Sequence, residues 1–374
     1  MNILLPTAIS VLVPAVFLFL VRRLDLYASG SVRSVLLCMG GGLAAFPLSF
    51  VVNTGTYRFL ALGMGGAAAV MAVKTVVAPV VEEMSKSALV TWYSRRPEFT
   101  YFVDGAIYGF AAGTAFAIVE NLFYLQRAHD LLAMSVNRAF SSSLMHGSAS
   151  ALVGVAVGRA RFGRGAGRWL SLVLGWMAAM AVHTSFNHLV NAGPMMGPRL
   201  LMAVGVGLGG VALTMGFIRW GLWEEARWLR ESLTLDIGVS GQESGLVQRW
   251  KELDVLLAPI GAHFGPEKRA MADRFLRLQA QLGLKSKAAA KAEDPALKSG
   301  LERQALDLRA RMDDARRELG VYCMAYIRSI VPPEGEPIWQ ALESRLADDL
   351  PSEGKMWGLL ADRAGGAPAH PGAL

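Results

Sequence analysis

Through its first 220 residues the chain strings together apolar runs long enough to cross a membrane, with little charge between them. A helix needs about 20 mainly apolar residues to traverse the hydrocarbon core of a bilayer. Runs at 3–21, 34–52, 101–126, 136–158, 169–191 and 199–219 meet that length. The stretch 57–94 is longer and is interrupted by Lys74, Pro79, Glu82, Glu83 and Lys86. In lipid every backbone polar group must be satisfied within the protein, and runs of this length do so as helices. The expected fold is an all-α, polytopic transmembrane helical bundle. The first run ends at Arg22-Arg23 without a convincing small-residue cleavage site, so it reads as a retained anchor and not a signal peptide.

Charge divides the chain in two. Residues 1–220 hold 16 Lys and Arg against 7 Asp and Glu, and residues 221–374 hold 21 against 23. The basic excess thus belongs to the apolar part, where it reads as membrane topology and lipid contact and not as a nucleic-acid surface. Arg159, Arg161, Arg164 and Arg168 fall in one short loop, which the positive-inside rule places in the cytoplasm together with Arg95-Arg96 and the start of the tail. The stretch 57–94 sets the count of 7–8 spans. Read as one passage it gives seven, with Arg22, Arg23 and Arg33 inside and the N-terminus outside. Read as two it gives eight, with those arginines outside. Charge favours seven; length favours eight, and the reading leans to eight.

Residues 1–220 are therefore expected to form the transmembrane domain, and residues 221–374 a soluble, mainly helical cytoplasmic C-terminal region. Trp223 to Trp228 reads as an interfacial helix with an aromatic belt. Helical spacing follows at 244–258, 266–284 and 299–330. Lys285 to Gly300 reads as a linker or solvated helix, and the Gly/Ala/Pro-rich end from about Ala364 as disordered. The tail carries no catalytic motif, and its partner is not legible. Cys38 and Cys323 lie in different regions, so no disulfide is expected between them.

Ionisable groups at membrane depth are costly and usually face a cavity or a partner. The ionisable and amide groups singled out there are Glu82, Glu83 and Lys86; Asp104; Glu120 with Asn121; His146; and His183 with Asn187. On a helix Lys86 shares a face with both glutamates, so it can neutralise one carboxylate while the other stays available. His183 and Asn187 are likewise one turn apart. Gly105, Gly109 and Gly113 form a stripe of small residues that lets helices approach closely, and Phe116 and Glu120 continue it. A carboxylate can act as general base on a water, and an imidazole and an amide can hold that water or stabilise an oxyanion. A glutamate with two histidines can instead bind Zn²⁺. Each group also has a structural reading: buried ion pair, interhelical hydrogen bond, or, for Asp104, helix cap. His129 and His188 read as loop and off-face residues.

These residues resemble a known family. Glu82-Glu83-x-x-Lys86 looks like an EExxK motif. Asp104-Gly105-Ala106-Ile107-Tyr108-Gly109, then Phe116-x-x-x-Glu120-Asn121 and Tyr124, looks like a second segment. Met145-His146-Gly147 matches a lone histidine, and His183-x-x-x-Asn187 a final motif. Leu24-Asp25-Leu26-Tyr27 looks like the family's first loop. The resemblance is to the PrsW family of intramembrane proteases, related to the CAAX prenyl endopeptidases and bacteriocin-processing enzymes, and spans roughly 1–220.

The resemblance implies a multi-pass protease of a prokaryotic cell membrane acting on a membrane-anchored protein or peptide, as in the first cut of an anti-sigma factor. It implies that Glu82 and Glu83 supply the catalytic carboxylate, that Glu120 stands where the prenyl endopeptidases carry a histidine, and that Asn187 stands where some members have Asp. The expected mechanism has Glu82, ahead of Glu83, activate a water held with His146. His183 and Asn187 stabilise the oxyanion, Lys86 tunes the carboxylates, Glu120 acts as acid or fixes His146, and Asn121 supports. In a zinc-dependent version Glu83, His146 and His183 hold the metal; the alternative is no cofactor. Intramembrane Glu, Lys and His also suit a proton-coupled transporter, and a non-catalytic membrane scaffold is the third reading.

Overall fold

The computed structural model describes residues 3–330 except 26, 28–29, 164, 194–196, 234–238, 240 and 250–251. Leu26 of the first-loop motif, Arg164 of the basic loop, residues 250–251 of the expected 244–258 helix and the end from Ala364 lie outside the described residues. Every regular element described is helical.

The membrane part comprises α1 (Leu4–Arg23), α2 (Val32–Met64), α3 (Gly66–Ala72), a π turn (Val73–Val77), α4 (Ala78–Tyr93), α5 (Phe102–Leu125), α6 (Leu131–Phe140), α7 (Ser142–Ala160), α8 (Gly165–Asn191) and α9 (Pro198–Ser232). Six helical segments are long and apolar enough to cross a membrane: α1, α2, α5, α6–α7, α8 and α9. The stretch 57–94 divides differently from either reading of the sequence. Its first residues extend α2, which the Ser31 side chain caps by accepting from the Ser34 amide. Gly65, at φ 81°, ends that helix in a backbone region open to glycine. From Gly66 to Tyr93 the chain is helical throughout, with the π turn in its middle.

Helices α5 and α7 form the centre. In both, 89% of the apolar window is buried, against 28% for α1, α2 and α9 and 17% for α8. The outer helices carry exposed Leu12, Leu37, Leu48, Phe59, Leu174, Met177 and Leu201. Such a surface suits lipid and not water. The expected glycine stripe is what joins the centre. A Cβ added at Gly105, Gly109 or Gly113 would fall 2.1, 2.2 or 2.2 Å from the carbonyl oxygens of Gly154, Ser150 and His146. Backbone therefore meets backbone, in an antiparallel register that sets His146 opposite Gly113.

The tail folds onto one end of this bundle. Helix α9 continues beyond the expected membrane boundary, and Trp228 is buried, its ring 4.3 Å from Tyr101 and 5.7 Å from Phe162. It is a packing residue and not part of an aromatic belt, whereas Trp223 is exposed. Helices α10 (Gly241–Gln248), α11 (Leu253–Phe264), α12 (Pro266–Lys291), α13 (Pro295–Leu319) and α14 (Val321–Ser329) follow. The stretch Lys285 to Gly300, expected as a linker or a solvated helix, is mostly helix. Only residues 292–294 connect α12 to α13, whose first turn the Asp294 side chain caps at Ala296 and Leu297. Helix α12 is not solvated at its Lys285, which is buried: it donates to the Pro97 carbonyl, and burial pushes its ammonium down to about 8. Gln281 donates to the Tyr27 carbonyl at 3.4 Å and Gln304 to Glu98 at 3.4 Å. Glu243 holds the tail together, accepting from Gln279, Arg316 and Arg328. Cys38 and Cys323 are free and buried.

Adding a methyl group at the centre of the α5–α7 contact forces the helices apart. Gly109→Ala is expected to destabilise the protein by about 1–3 kcal/mol, the usual cost of overpacking, and Gly109→Leu to abolish the folded state. Thermal unfolding of the detergent-solubilised protein checks both; an unchanged midpoint for Gly109→Leu would refute the backbone contact.

Candidate active site

Four elements bring the intramembrane polar residues together. Helix α4 carries Glu82, Glu83 and Lys86; α5 carries Glu120 and Asn121; α7 carries His146; α8 carries His183 and Asn187. The α5–α7 register fixes two of them, because His146 lies beside the end of the glycine stripe that Glu120 continues.

Glu83 is fully buried and fully engaged. Its Oε1 accepts from Lys86 Nζ at 2.6 Å and from His183 Nδ1 at 2.8 Å, and its Oε2 accepts from Ser150 Oγ at 3.1 Å. Lys86 also donates to His146 Nδ1 at 2.8 Å and stands 4.5 Å from the Phe116 ring centroid. Since an ammonium only donates, His146 Nδ1 is the acceptor, and its Nε2–H donates to Glu120 Oε2 at 2.9 Å. The same Glu120 oxygen takes an Arg138 guanidinium N–H at 2.5 Å. The result is one chain of bonds, Arg138–Glu120–His146–Lys86–Glu83–His183, running through five helices.

Glu82 stands apart from that chain. Its Oε1 accepts a long bond from Asn53 Nδ2 at 3.4 Å, and its buried Oε2 has no hydrogen-bond partner among the described residues. That oxygen lies 3.7 Å from His183 Nε2. With the His183 Nδ1 proton on Glu83, Nε2 presents a lone pair, so two bare electron-pair donors face each other. One ligand atom each from Glu82, His146 and His183 lies within 4.8 Å of the others. The sequence expectation paired Glu83 with the histidines as metal donors. The geometry pairs Glu82 instead, because Glu83 is saturated by Lys86, His183 and Ser150.

These residues fit a zinc ion. One carboxylate and two imidazoles are a zinc donor set. Glu83 on His183 and Glu120 on His146 are the carboxylate–histidine contacts that orient such ligands. Three carboxylates against Lys86 and Arg138 also leave one formal negative charge in a buried place, with Glu82 Oε2 unsatisfied. Glu82 and His183 offer bare atoms directly. His146 would offer one on releasing Lys86 or Glu120.

Asn187 joins this group with a further task. Its Nδ2 donates to the Lys74 carbonyl at 2.7 Å, and Lys74 Nζ reaches Asn191 at 3.3 Å. The π turn frees backbone groups from their α-helical partners, and α8 secures it there. Asn187, Lys74, Glu82, Glu120, Arg138, His146 and His183 line one cavity of about 170 Å³. Asn121 bridges helices, donating to Ser143 Oγ at 2.7 Å and accepting from Arg138 at 2.9 Å. Asp104 is buried at the opposite end of α5, where it accepts from the Thr100 amide, and takes no part.

Sequence reasoning missed Arg138, Ser150 and Asn53. Arg138 was detectable as a cation opening the apolar run at 136–158. Ser150 and Asn53 carried no signal, since one more serine or asparagine in an apolar helix reads as neutral.

Residues 32–217 match the family described as PrsW family intramembrane metalloprotease. The match begins at α2 and ends within α9, so α1, the Leu24–Tyr27 loop and the tail fall outside it, a narrower span than the motifs suggested. No curated protein and no solved structure matches the chain. The matched span holds Glu82, Glu83, Glu120, His146, His183 and Asn187 together. This chain carries a PrsW family intramembrane metalloprotease domain over residues 32–217 and is a peptidase.

Proposed function

We propose that the protein is an intramembrane endopeptidase that hydrolyses peptide bonds of membrane-anchored proteins or peptides with a water activated at Glu82. The observation that carries this reading is the buried Glu82 Oε2, unpaired among the described residues, beside His183 and His146 in one cavity. Every other carboxylate of the cluster is already engaged. Glu82 takes the proton of the water as its oxygen attacks the peptide carbonyl carbon. Glu83 holds His183 in the tautomer with Nδ1 protonated, and Glu120 holds His146 in the one with Nε2 protonated. Lys86 supplies the positive charge that lets Glu83 stay ionised beside Glu82. The developing oxyanion faces the Arg138 guanidinium and the second amide hydrogen of Asn187, both on the cavity wall. The proton returns to the departing amine from the carboxylate that received it.

Zinc held by Glu82, His146 and His183 would supply Lewis acidity and a more acidic bound water. With Glu82 serving as ligand, Glu120, held by Arg138 and His146, would be the remaining carboxylate on the cavity. The site-1 cut of an anti-sigma factor is the substrate reading that the family resemblance favours.

The topology belongs to the same reading: residues 1–220 as the membrane unit, 221–374 as a cytoplasmic unit, and seven passages with the N-terminus outside. The rod Gly66–Tyr93 is a single passage in that count. Supporting it, Tyr27, Pro97 and Trp228 all meet at the end where the tail docks, and Arg161 donates to the Ser94 and Arg96 carbonyls there. Eight passages would put Tyr27 and Pro97 on opposite sides of the bilayer.

Glu82→Gln is expected to lower turnover of a single-span substrate by about 10²–10⁴-fold, with thermal stability unchanged; a normal rate removes Glu82 from the chemistry. In the zinc version, exhaustive chelation should stop cleavage and zinc restore it. Elemental analysis should find about one zinc per wild-type chain and none in His183→Ala. Activity indifferent to chelator would eliminate the metal. Single cysteines placed at positions 31, 96 and 165 of a chain lacking Cys38 and Cys323 should label from the cytoplasmic side, and one at position 66 from the outside.

A further inference from the structure

A second cavity, of about 270 Å³, lies between α2, the π turn and α5. It reaches Glu82 and Glu120, which also line the catalytic cavity, so the two spaces share a wall at the reacting carboxylate. Its side is aromatic. Phe46 contacts Phe116 and Phe123 at 5.6 Å each, and Phe50 contacts Phe123 at 5.2 Å. Phe50 is 46% exposed, so the space opens on the lipid-facing surface of the bundle.

Besides Glu82 Oε2, two buried polar atoms on this wall have no hydrogen-bond partner among the described residues: Ser49 Oγ and Asn53 Oδ1. They are one turn apart on α2 and share a face. The Asn53 amide nitrogen is on Glu82 Oε1, which leaves Oδ1 as an acceptor. Burying such groups in an apolar wall without partners is unfavourable, and a native fold keeps few of them. A peptide cut inside a membrane has the complementary difficulty. A helix protects its peptide bonds, so the stretch to be hydrolysed must unwind, and its freed N–H and C=O groups then need partners that lipid cannot supply.

Resting on the endopeptidase reading, we propose that this space is the substrate subsite beside the scissile bond. Asn53 Oδ1 and Ser49 Oγ hold the backbone of a locally unwound membrane segment, and Phe46, Phe50, Phe116 and Phe123 enclose one large apolar side chain of that segment. The occupant is thus a bulky aliphatic or aromatic residue next to the cut. The aromatic lining and lipid-side opening select against a charged one, although Glu82 and Glu120 lie at its floor.

The test uses the full-length protein in proteoliposomes with single-span fluorogenic peptides in which each position around the cut is varied among Ala, Leu, Phe, Trp and Lys. Mass spectrometry locates the cut. At one flanking position wild type should favour Leu or Phe over Ala by about tenfold or more, as apolar pockets discriminate. Phe50→Ala and Phe123→Ala should move that preference toward Trp, and Ser49→Trp toward Ala. Ser49→Val should raise KM with kcat kept. A merely structural role for these residues would alter rates without altering side-chain preference. Wild-type cleavage that Glu82→Gln abolishes, with the same preference in both Phe variants or a preference for Lys, overturns the subsite and leaves the endopeptidase reading standing. Failure of wild type to cut any of these peptides overturns both.

Discussion

The close approach of α5 to α7 is the contact on which the rest depends. Three glycines, each one turn from the next, leave no side chain between the two backbones, and carbonyl oxygens of α7 occupy the space where Cβ atoms would stand. In a bilayer, helices gain nothing by hiding apolar surface from one another, because the lipid tails are equally apolar. Close packing at small residues is the association force that remains, and it has a defined register. That register places His146 within a hydrogen bond of Glu120. A side chain at Gly113 would separate the helices where the imidazole needs its carboxylate.

The second constraint is charge. Five ionisable side chains, Glu82, Glu83, Lys86, Glu120 and Arg138, lie within the cluster, where a lone charge would be costly. The fold meets that cost by linking Arg138, Glu120, His146, Lys86, Glu83 and His183 through one series of hydrogen bonds. Every member is held by a neighbouring helix, so the bundle's packing and its electrostatics reinforce each other. Glu82 is the member left outside, its second oxygen without a partner among the described residues. The π turn serves the same end, since its Lys74 carbonyl gives α8 an anchor, through Asn187, directly beneath the Glu82 segment.

The tail is attached to this machinery through the loops between helices. Helices α12 and α13 sit on Pro97 and Tyr27, and Trp228 packs on Tyr101, the residue preceding α5. Helix α5 thus has the tail at one end and Glu120 near the other. The buried Lys285 and the Glu243 cluster make this region a docked helical unit and not a loosely tethered appendage.

Much of this architecture is legible in the amino-acid sequence. Apolar runs of bilayer length specify helices because lipid leaves the backbone no other solution, and the polar residues inside them stand out because each is costly there. Spacing alone put Lys86 on one face with both glutamates and predicted that one carboxylate would be neutralised and the other left. It could not say which, since Glu82 and Glu83 are adjacent and both lie within reach of Lys86. The choice falls on contacts from α7 and α8: Ser150 and His183 saturate Glu83, so Glu82 faces the histidines. Arg138, Ser150 and Asn53 likewise acquire meaning only from neighbours distant in sequence. The division of 57–94 and the burial of Lys285 were also decided in three dimensions. Local patterns encode which helices form and which faces are polar; which polar atom stays unpaired depends on how many donors the other helices bring to it.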